Sequence, residues 1–439
     1  MTFYVDNDVQ YNEGVRELAK VNIDSSGPRL PWAGKKVHIE NVEEELSFLW
    51  RMTADNVRTS RNINVRTSVL NLVICAANIE IAQQASKFMR EVMSTHIARF
   101  TLLILEEHGD NPPGVFTWVT LRSFPIISDI MRHNFEQVTL LASGGAVRSV
   151  AHIVQPLLKP DLPIYLWWLN DPPYGSSVFA QLARLSSRVI VDSNTFIQPE
   201  DGLNFLSSFM QQAPDSAISD LNWGRVTPWR ELVAQFFDVA EYRPYLSGVH
   251  RIEIEHAVTA DNASTAEGDV SPDPIQALLL AGWLKTILNW KLAHDSAEHV
   301  YDPATGTFSW HIVRPTGALT LHSIGISSGK TGKLSVHEDG VISIRPRVQS
   351  DMRPGTICLV RLISDLDKKY AIFSLNRGDD AEHVFTSVEL SEGTRSQRTV
   401  QVATANDAVQ LLHDELEIIG RDHLFEDSLQ EVTELLAQK

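Results

Sequence analysis

Hydrophobic positions follow two rhythms along this chain. Behind a polar, turn-rich first forty residues, Val42, Leu46, Leu49 and Trp50 recur on one helical face over Val42–Met52. The acidic run Glu43–Glu45 sits in the first turn, where negative charge suits the helix dipole, and reads as solvated. From Thr67 the pattern becomes α/β. SVLNLVICAA and ARFTLLILEE read as buried strands around a helix over Ile79–Met93, and VFTWVTL, which alternates more, reads as an edge strand. EQVTLLASGG is a strand running into a glycine turn and AVRSVAHIVQPLL an amphipathic helix. LPIYLWW and SRVIVDS are two further buried strands around a short helix near Val178–Leu185. Continuous apolar strands separated by helices imply a mostly parallel sheet covered on both faces.

The second rhythm begins after Gly202. The chain reads as helical through Asp238, then RIEIEHAV as a strand, and Thr259–Pro274 as a mobile loop, too poor in large apolar side chains to offset the entropy of ordering. After a helix at Ile275–Leu292, the segments FSWHIVR, LTLHSIGI, KLSVHED, VISIRPR, ICLVRLIS, KYAIFSL and HVFTSVEL alternate as strands do. Turn residues separate them, as an antiparallel meander requires. Helices over Asn406–Ile419 and Phe425–Leu436 close the chain. The expected architecture is an α/β N-terminal half with a mostly parallel sheet, followed by an α+β C-terminal region with an antiparallel meander and terminal helices. Its expected divisions are a polar segment 1–40, an α/β domain 41–200, a helical segment and strand 201–258, the loop 259–274 and an α+β domain 275–439.

Composition narrows the functional classes. The 439 residues carry 38 Lys and Arg against 55 Asp and Glu, a net charge of −17, so nucleic acid and anionic membrane are not expected partners. No apolar stretch approaches the ~20 residues of a spanning helix and the first thirty residues lack a signal-peptide core, so neither a membrane anchor nor a signal peptide is expected. Two cysteines, Cys75 and Cys358, are too few for a disulfide framework and sit in apolar runs, which points to buried thiols in a reducing, cytoplasmic compartment.

Motifs of catalysis are missing or fail their context. No G-x-G-x-x-G follows a strand, and no cofactor is expected. Ser143-Gly144-Gly145 reads either as a tight strand-to-helix turn or as a phosphate cradle. Gly325–Thr331 imitates both a nucleophile elbow and a phosphate loop, but KTGKLSVHED continues as turn and strand rather than helix. His294 and His299 stand five apart, on divergent faces of a helix, and no metal site is expected. What stands out instead is aromatic residues beside arginines: Trp167 and Trp168 end one strand, and Trp223, Arg225, Trp229 and Arg230 share the segment DLNWGRVTPWR. Trp and Arg are enriched in interface hot spots, yet Trp is equally a core residue, and Thr227-Pro228 suits a helix start. The block is therefore either core or partner surface, with Trp283 and Trp290 leaning toward core.

These stretches resemble the OpcA family, the glucose-6-phosphate dehydrogenase assembly proteins of cyanobacteria and actinobacteria. The resemblance rests on Thr139–Gly145, Pro156–Leu158 with Asp161–Trp168, Arg188–Ser193, Asp220–Leu232, Phe237-Asp238 and Ala281–Leu284 with Trp290, in order over about 68–290. It implies a non-catalytic partner that promotes assembly and allosteric activation of the dehydrogenase opening the oxidative pentose phosphate pathway. The alternative is a sugar-phosphate enzyme or metabolite sensor using the Ser143–Gly145 turn with Arg148 or Arg225.

Overall fold

The computed structural model describes residues 28–60, 63–65, 68–92, 98–108, 111–127, 131–169, 171, 177–259, 274–293, 300–302, 304–314, 338–349, 351–378, 382–393, 395–402, 408–418 and 420–438. They fall into two compact units. One comprises the chain up to Leu166 with Ala180–Leu185, the other Trp167–Phe179 with the chain from Ser186 onward. His294, His299, the segment Gly325–Thr331, the strand reading LTLHSIGI, most of KLSVHED and residues 260–273 lie outside the described residues.

The first unit contains β1 (Lys35–Val37), α1 (Val42–Ser60), β2 (Ile63–Val65), β3 (Leu70–Ala76), α2 (Ile79–Val92), β4 (Ala98–Glu106), β5 (Gly114–Ile127), β6 (Met131–Ser143) and α3 (Val150–Val154). β7 (Ile164–Trp168) runs through the boundary. The strand order is β1-β5-β6-β4-β3-β7. β3, β4 and β6 are parallel, in registers such as Leu72↔Phe100 and Leu103↔Leu140, while β5 is antiparallel to β6. Every residue of β3 is buried, which is why its sequence is apolar rather than alternating except at Asn71, whose amide donates to the Lys159 carbonyl at 3.0 Å.

Two expectations need correction here. The run VFTWVTL is not an edge strand: it belongs to a fourteen-residue β5 lying between β6 and β1. The three-residue β1 that covers it is too short to leave a hydrophobic signature. The segment AVRSVAHIVQPLL is not one helix but a 3-10 turn at Gly144–Ser149, the five-residue α3 and a second 3-10 turn at Gln155–Leu157. Pro156, with no N–H to donate, stops the helix there. Two of the acids of α1 are also engaged. Glu45 pairs with Lys35 at 2.7 Å, and Glu43 pairs with Arg99. Arg99 is buried beside the equally buried Glu136, whose carboxylate accepts the Trp50 indole N–H at 2.7 Å.

In the second unit α4 (Ser177–Leu185), which crosses the boundary, precedes β8 (Arg188–Val191), α5 (Pro199–Gln212), β9 (Ala217–Asp220) and α6 (Leu221–Asp238). β8 and β9 are parallel, Val189 opposite Ile218. The continuous helix expected from Gly202 to Asp238 is thus two helices around a strand; Ile218 is the strand's one large apolar residue, so no periodicity announced it. Pro228 does not start a helix either. It lies inside the eighteen-residue α6, where the Thr227 hydroxyl donates to the Trp223 carbonyl.

β10 (Val249–Val258) and α7 (Ile275–Ile287) lead into β11 (Lys291–Leu292), β12 (Tyr301–Asp302), β13 (Thr307–Arg314), β14 (Glu338–Val348), β15 (Ile357–Leu366), β16 (Lys369–Arg377), β17 (His383–Leu390) and β18 (Arg395–Gln401). α8 (Ala408–Glu417) and α9 (His423–Leu436) close the chain. The sheet runs β11-β13-β14-β10-β15-β16-β17-β18, with β12 beside β13. It is antiparallel except that β10 lies parallel to β14, so the meander is interrupted by a strand inserted at its centre. One face packs under helices. Phe373 of β16 meets Phe236 and Phe237 of α6 at ring separations of 5.4 and 5.0 Å, and the Trp310 indole donates to the Leu435 carbonyl of α9 at 3.0 Å.

α9 lies directly on α7. A Cβ on Gly282 would stand 2.5 Å from the Ser428 carbonyl oxygen, and the fully buried Lys285 is bound by Glu431 and, at 2.9 Å, by Glu434. Trp283 and Trp290 are buried, as are both cysteines, Cys75 in the first unit and Cys358 in the second. Burial pushes the Cys358 thiol up to about 11 and raises that of Cys75 as well, so neither is a ready thiolate. Among the described residues no helix is long and apolar enough to cross a membrane, and no group of three or more His, Cys, Asp or Glu is placed to hold a metal ion.

Candidate functional site

The carboxyl ends of parallel strands are where open α/β sheets commonly receive ligands. β8 continues into Asp192 and β9 ends on Asp220. Each aspartate caps the helical turn after it. Asp220 precedes α6 and accepts the backbone N–H groups of Asn222 and Ser193, both at 2.9 Å. Asp192 precedes a 3-10 turn and accepts the N–H of Asn194 at 3.2 Å. Arg225, one turn into α6, reaches back and holds both oxygens of Asp192, at 2.6 and 2.8 Å. The Asn222 amide donates to the Ser193 hydroxyl at 3.2 Å.

Ser193, Asp220, Asn222 and Arg225 are all buried, and the Asp192 side chain is 12% exposed. Burial pushes the Asp220 carboxyl up to about 6; the neighbouring Asp192 charge adds to the shift, and the bonds from Ser193 and Asn222 oppose it. The cluster is largely bound within itself: the guanidinium meets a bidentate carboxylate and Asp220 caps the Asn222 N–H of α6, while Asp220 Oδ2 and Arg225 Nε are buried without a hydrogen-bond partner among the described residues.

The remainder of the α6 block holds the C-terminal helices. Arg230 stacks on the Trp223 ring, 3.6 Å from its centroid, and donates to the Thr227 hydroxyl at 2.7 Å. Burial lowers the Arg230 guanidinium to about 10, against the attraction of Asp422 and Glu231. The Trp223 indole donates at 2.8 Å to one oxygen of Asp422, whose other oxygen caps α9 through the Phe425 N–H at 3.0 Å. Gly224 has no Cβ because Leu411 of α8 occupies that space, at 2.8 Å. Trp229 is buried with Arg377 above its ring at 5.1 Å. Arg188, at the start of β8, binds Glu415 at 2.6 Å and the Ile418 and Gly420 carbonyls, which ties the α8–α9 connection to the same strand.

Of the other residues singled out in the sequence, Trp167 and Trp168 are buried at the end of β7, where the Trp168 indole donates to the Asp171 carbonyl at 3.0 Å and packs edge-on against Phe179. Ser143 is buried and its hydroxyl donates to the Asn111 carbonyl at 3.0 Å. Gly144 takes a left-handed φ of +60° against Pro113, while Gly145 and Arg148 are exposed. The structure therefore joins Trp223 to Arg230 and Arg225 to Asp192, and leaves the Ser143–Gly145 turn in a different unit from Arg225. Asp192, Asp220 and Asp422 were not singled out by residue type. Asp192 follows the apolar run VIV and could have been marked as a strand-end residue, whereas Asp220 ends AISD, whose composition gives no such signal.

Residues 89–208 match the family described as the N-terminal domain of a glucose-6-phosphate dehydrogenase subunit, and residues 216–429 the one described as its C-terminal domain. The chain belongs to the OpcA family. A relative from Synechocystis sp., described as putative OxPP cycle protein OpcA, is 25% identical over 303 residues, covering 69% of this chain and 56% of that protein. One of the same description from Nostoc punctiforme is 31% identical over 156 residues, 36% of this chain and 30% of that protein. The chain thus matches little more than half, or less, of these relatives' length. Among solved structures, levoglucosan dehydrogenase in complex with NADH aligns at a TM-score of 0.38 and 8% identity, over 84% of this chain and 91% of that one. Apo scyllo-inositol dehydrogenase from Lactobacillus casei aligns at 0.38 and 10%, over 85% and 96%. Likeness at that level carries no argument about this chain.

Proposed function

We propose that this protein is a non-catalytic partner of glucose-6-phosphate dehydrogenase that promotes its assembly and activates it allosterically, in the cytoplasm. The observation that carries the reading is the pair of family matches over 89–208 and 216–429, both described as domains of a glucose-6-phosphate dehydrogenase subunit. The strand-end cluster supports it: polar groups standing where a substrate site is commonly built are bound to each other. In this reading Trp167, Trp168, Trp223, Arg225, Trp229 and Arg230 serve partner binding indirectly, as framework, with Trp223 and the Arg230 stacked on it fixing the start of α9 and the surface that helix displays.

An activator must bind the active conformation or oligomer of the dehydrogenase more tightly than the inactive one, since equal affinity shifts no population. Adding the protein should therefore lower the apparent Michaelis constant for glucose 6-phosphate or favour a larger dehydrogenase oligomer. Steady-state kinetics and sedimentation of the dehydrogenase that do not change at saturating protein would overturn the proposal.

A further inference from the structure

The C-terminal sheet has a second face, opposite the one that Phe373 and Trp310 bury under the helices. The strand registers set Ser343, Glu253, Arg361, Ser374, Ser387 and Gln397 side by side in one line across it. A line on one side of this brings Arg251, Ile363 and Ile372 together, and a line on the other side Glu255, Leu359 and Asn376. Glu253 pairs with Arg361 at 3.0 Å, and Glu255 with Arg345 and, at 3.4 Å, Arg347. A hollow of about 900 Å³ opens over these strands. The side chains remain accessible, Arg345 at 50% and Phe385 at 38%.

We infer that this face is a homodimer interface, occupied by the same face of a second copy of the chain. Charge is the first argument. Arg251, Arg345, Arg347 and Arg361 stand here against Glu253, Glu255 and Glu389, a near balance on a chain of net charge −17. Two copies that meet through this patch bring no large excess of like charge together. Self-complementarity is the second. A two-fold axis along the central line lays one outer line over the other, Arg251 of each copy over Glu255 of its mate and Ile363 over Leu359, as an isologous contact requires. Area is the third. Six strands about 4.8 Å apart and some five residues long give roughly 30 by 20 Å in projection. With side-chain corrugation that approaches the roughly 800 Å² per partner of a standard specific interface. The helix-covered face of each sheet would then form one layer of core and the joined open faces a second, in an aligned sheet-on-sheet packing.

Ser374 is the informative position, since it lies on the central line and takes no part in the ion pairs of the face. Sedimentation of the full chain alone should give a dimer. Ser374→Arg, and independently Ser387→Arg, should raise the dissociation constant on the order of a hundredfold, because each places a guanidinium opposite its own copy in a desolvated centre. The thermal midpoint at high dilution should stay that of the wild type, and Gln430→Arg, at an exposed position of α9, should leave the dimer intact. A wild-type chain monomeric at about 100 µM, far above the range of functional dimers, or a Ser374→Arg chain still dimeric, overturns the inference. So does a Ser374→Arg chain of unchanged mass that no longer binds the dehydrogenase, which would assign the face to that protein; dehydrogenase activation lost with the dimer intact in every variant bears on the functional proposal and not on this one.

Discussion

Removing the guanidinium of Arg225 is the most direct test of how the α6 block works. Arg225→Ala deletes both bonds to Asp192, at 2.6 and 2.8 Å, and leaves that carboxylate 12% exposed and close enough to Asp220 for the two charges to repel. Breaking a buried pair by removing one partner costs about 3–5 kcal/mol, because the remaining charge is left desolvated. Domains of ordinary stability hold about 5–15 kcal/mol, so the loss is a large fraction of the total. Urea unfolding followed by tryptophan fluorescence reads it as a fall in midpoint; a second transition from the first unit, if resolved, should not move. Asp192→Asn with Arg225→Ala completes a double-mutant cycle in which the coupling should reach on the order of 2 kcal/mol. A single-mutant loss under about 1 kcal/mol, with dehydrogenase binding abolished, would refute this reasoning and place Arg225 at the partner contact.

Two more outcomes are expected from the same geometry. Asp220 has a folded pKa of about 6 against the ordinary aspartate value of 3.8, so ionising it in the folded chain disfavours the native state, and its contribution to stability falls as pH rises from about 4 to about 6. Asp220→Asn, which keeps an acceptor for the Ser193 and Asn222 N–H groups, should remove that part of the pH dependence, roughly 3 kcal/mol at most; identical pH profiles of unfolding for the two chains would contradict it. Gly282→Ala should destabilise by about 2 kcal/mol or more despite alanine's roughly 1 kcal/mol advantage in helices, because the added methyl meets the Ser428 carbonyl 2.5 Å away and forces α7 and α9 apart. A thermal midpoint equal to or above that of the wild type would sink this account.

Which parts of the fold could be read in the sequence depends on how local their causes are. β3, β4 and β8 are buried on both faces and announce themselves as apolar runs, and FSWHIVR, VISIRPR, ICLVRLIS, KYAIFSL and HVFTSVEL alternate because their sheet is covered on one face. β9 was hidden by its composition. The central position of β10 was hidden by distance: its alternation is plain, but its parallel partner β14 begins far along the chain, Arg251 opposite Val341, and no periodicity reports that pairing. The site divides the same way. Trp223, Arg225, Trp229 and Arg230 were conspicuous by residue type, whereas Asp192 and Asp220 look like ordinary caps until two parallel strands set them side by side.

That placement also weighs between the two functional readings. A helix N-terminus at the end of a parallel strand is a ready anion site because its unpaired N–H groups and dipole face the ligand. In α6 the Asn222 N–H is met by Asp220, whose carboxylate stands at that terminus, and Arg225, the nearby cation a phosphate would seek, is held by Asp192. An incoming phosphate would have to displace one carboxylate and lie beside another, a like-charge encounter in a buried setting where electrostatic costs are largest. In the first unit, the Ser143 hydroxyl is likewise given to the Asn111 carbonyl, and the helix beyond the turn is only five residues long. The sugar-phosphate alternative therefore requires the Asp192–Arg225 pair to come apart and the Ser143 hydroxyl to leave Asn111 before these groups can bind. A partner protein in which they stay closed, with Trp223 holding the cap of α9 and Arg188 the α8–α9 connection, requires nothing of the kind.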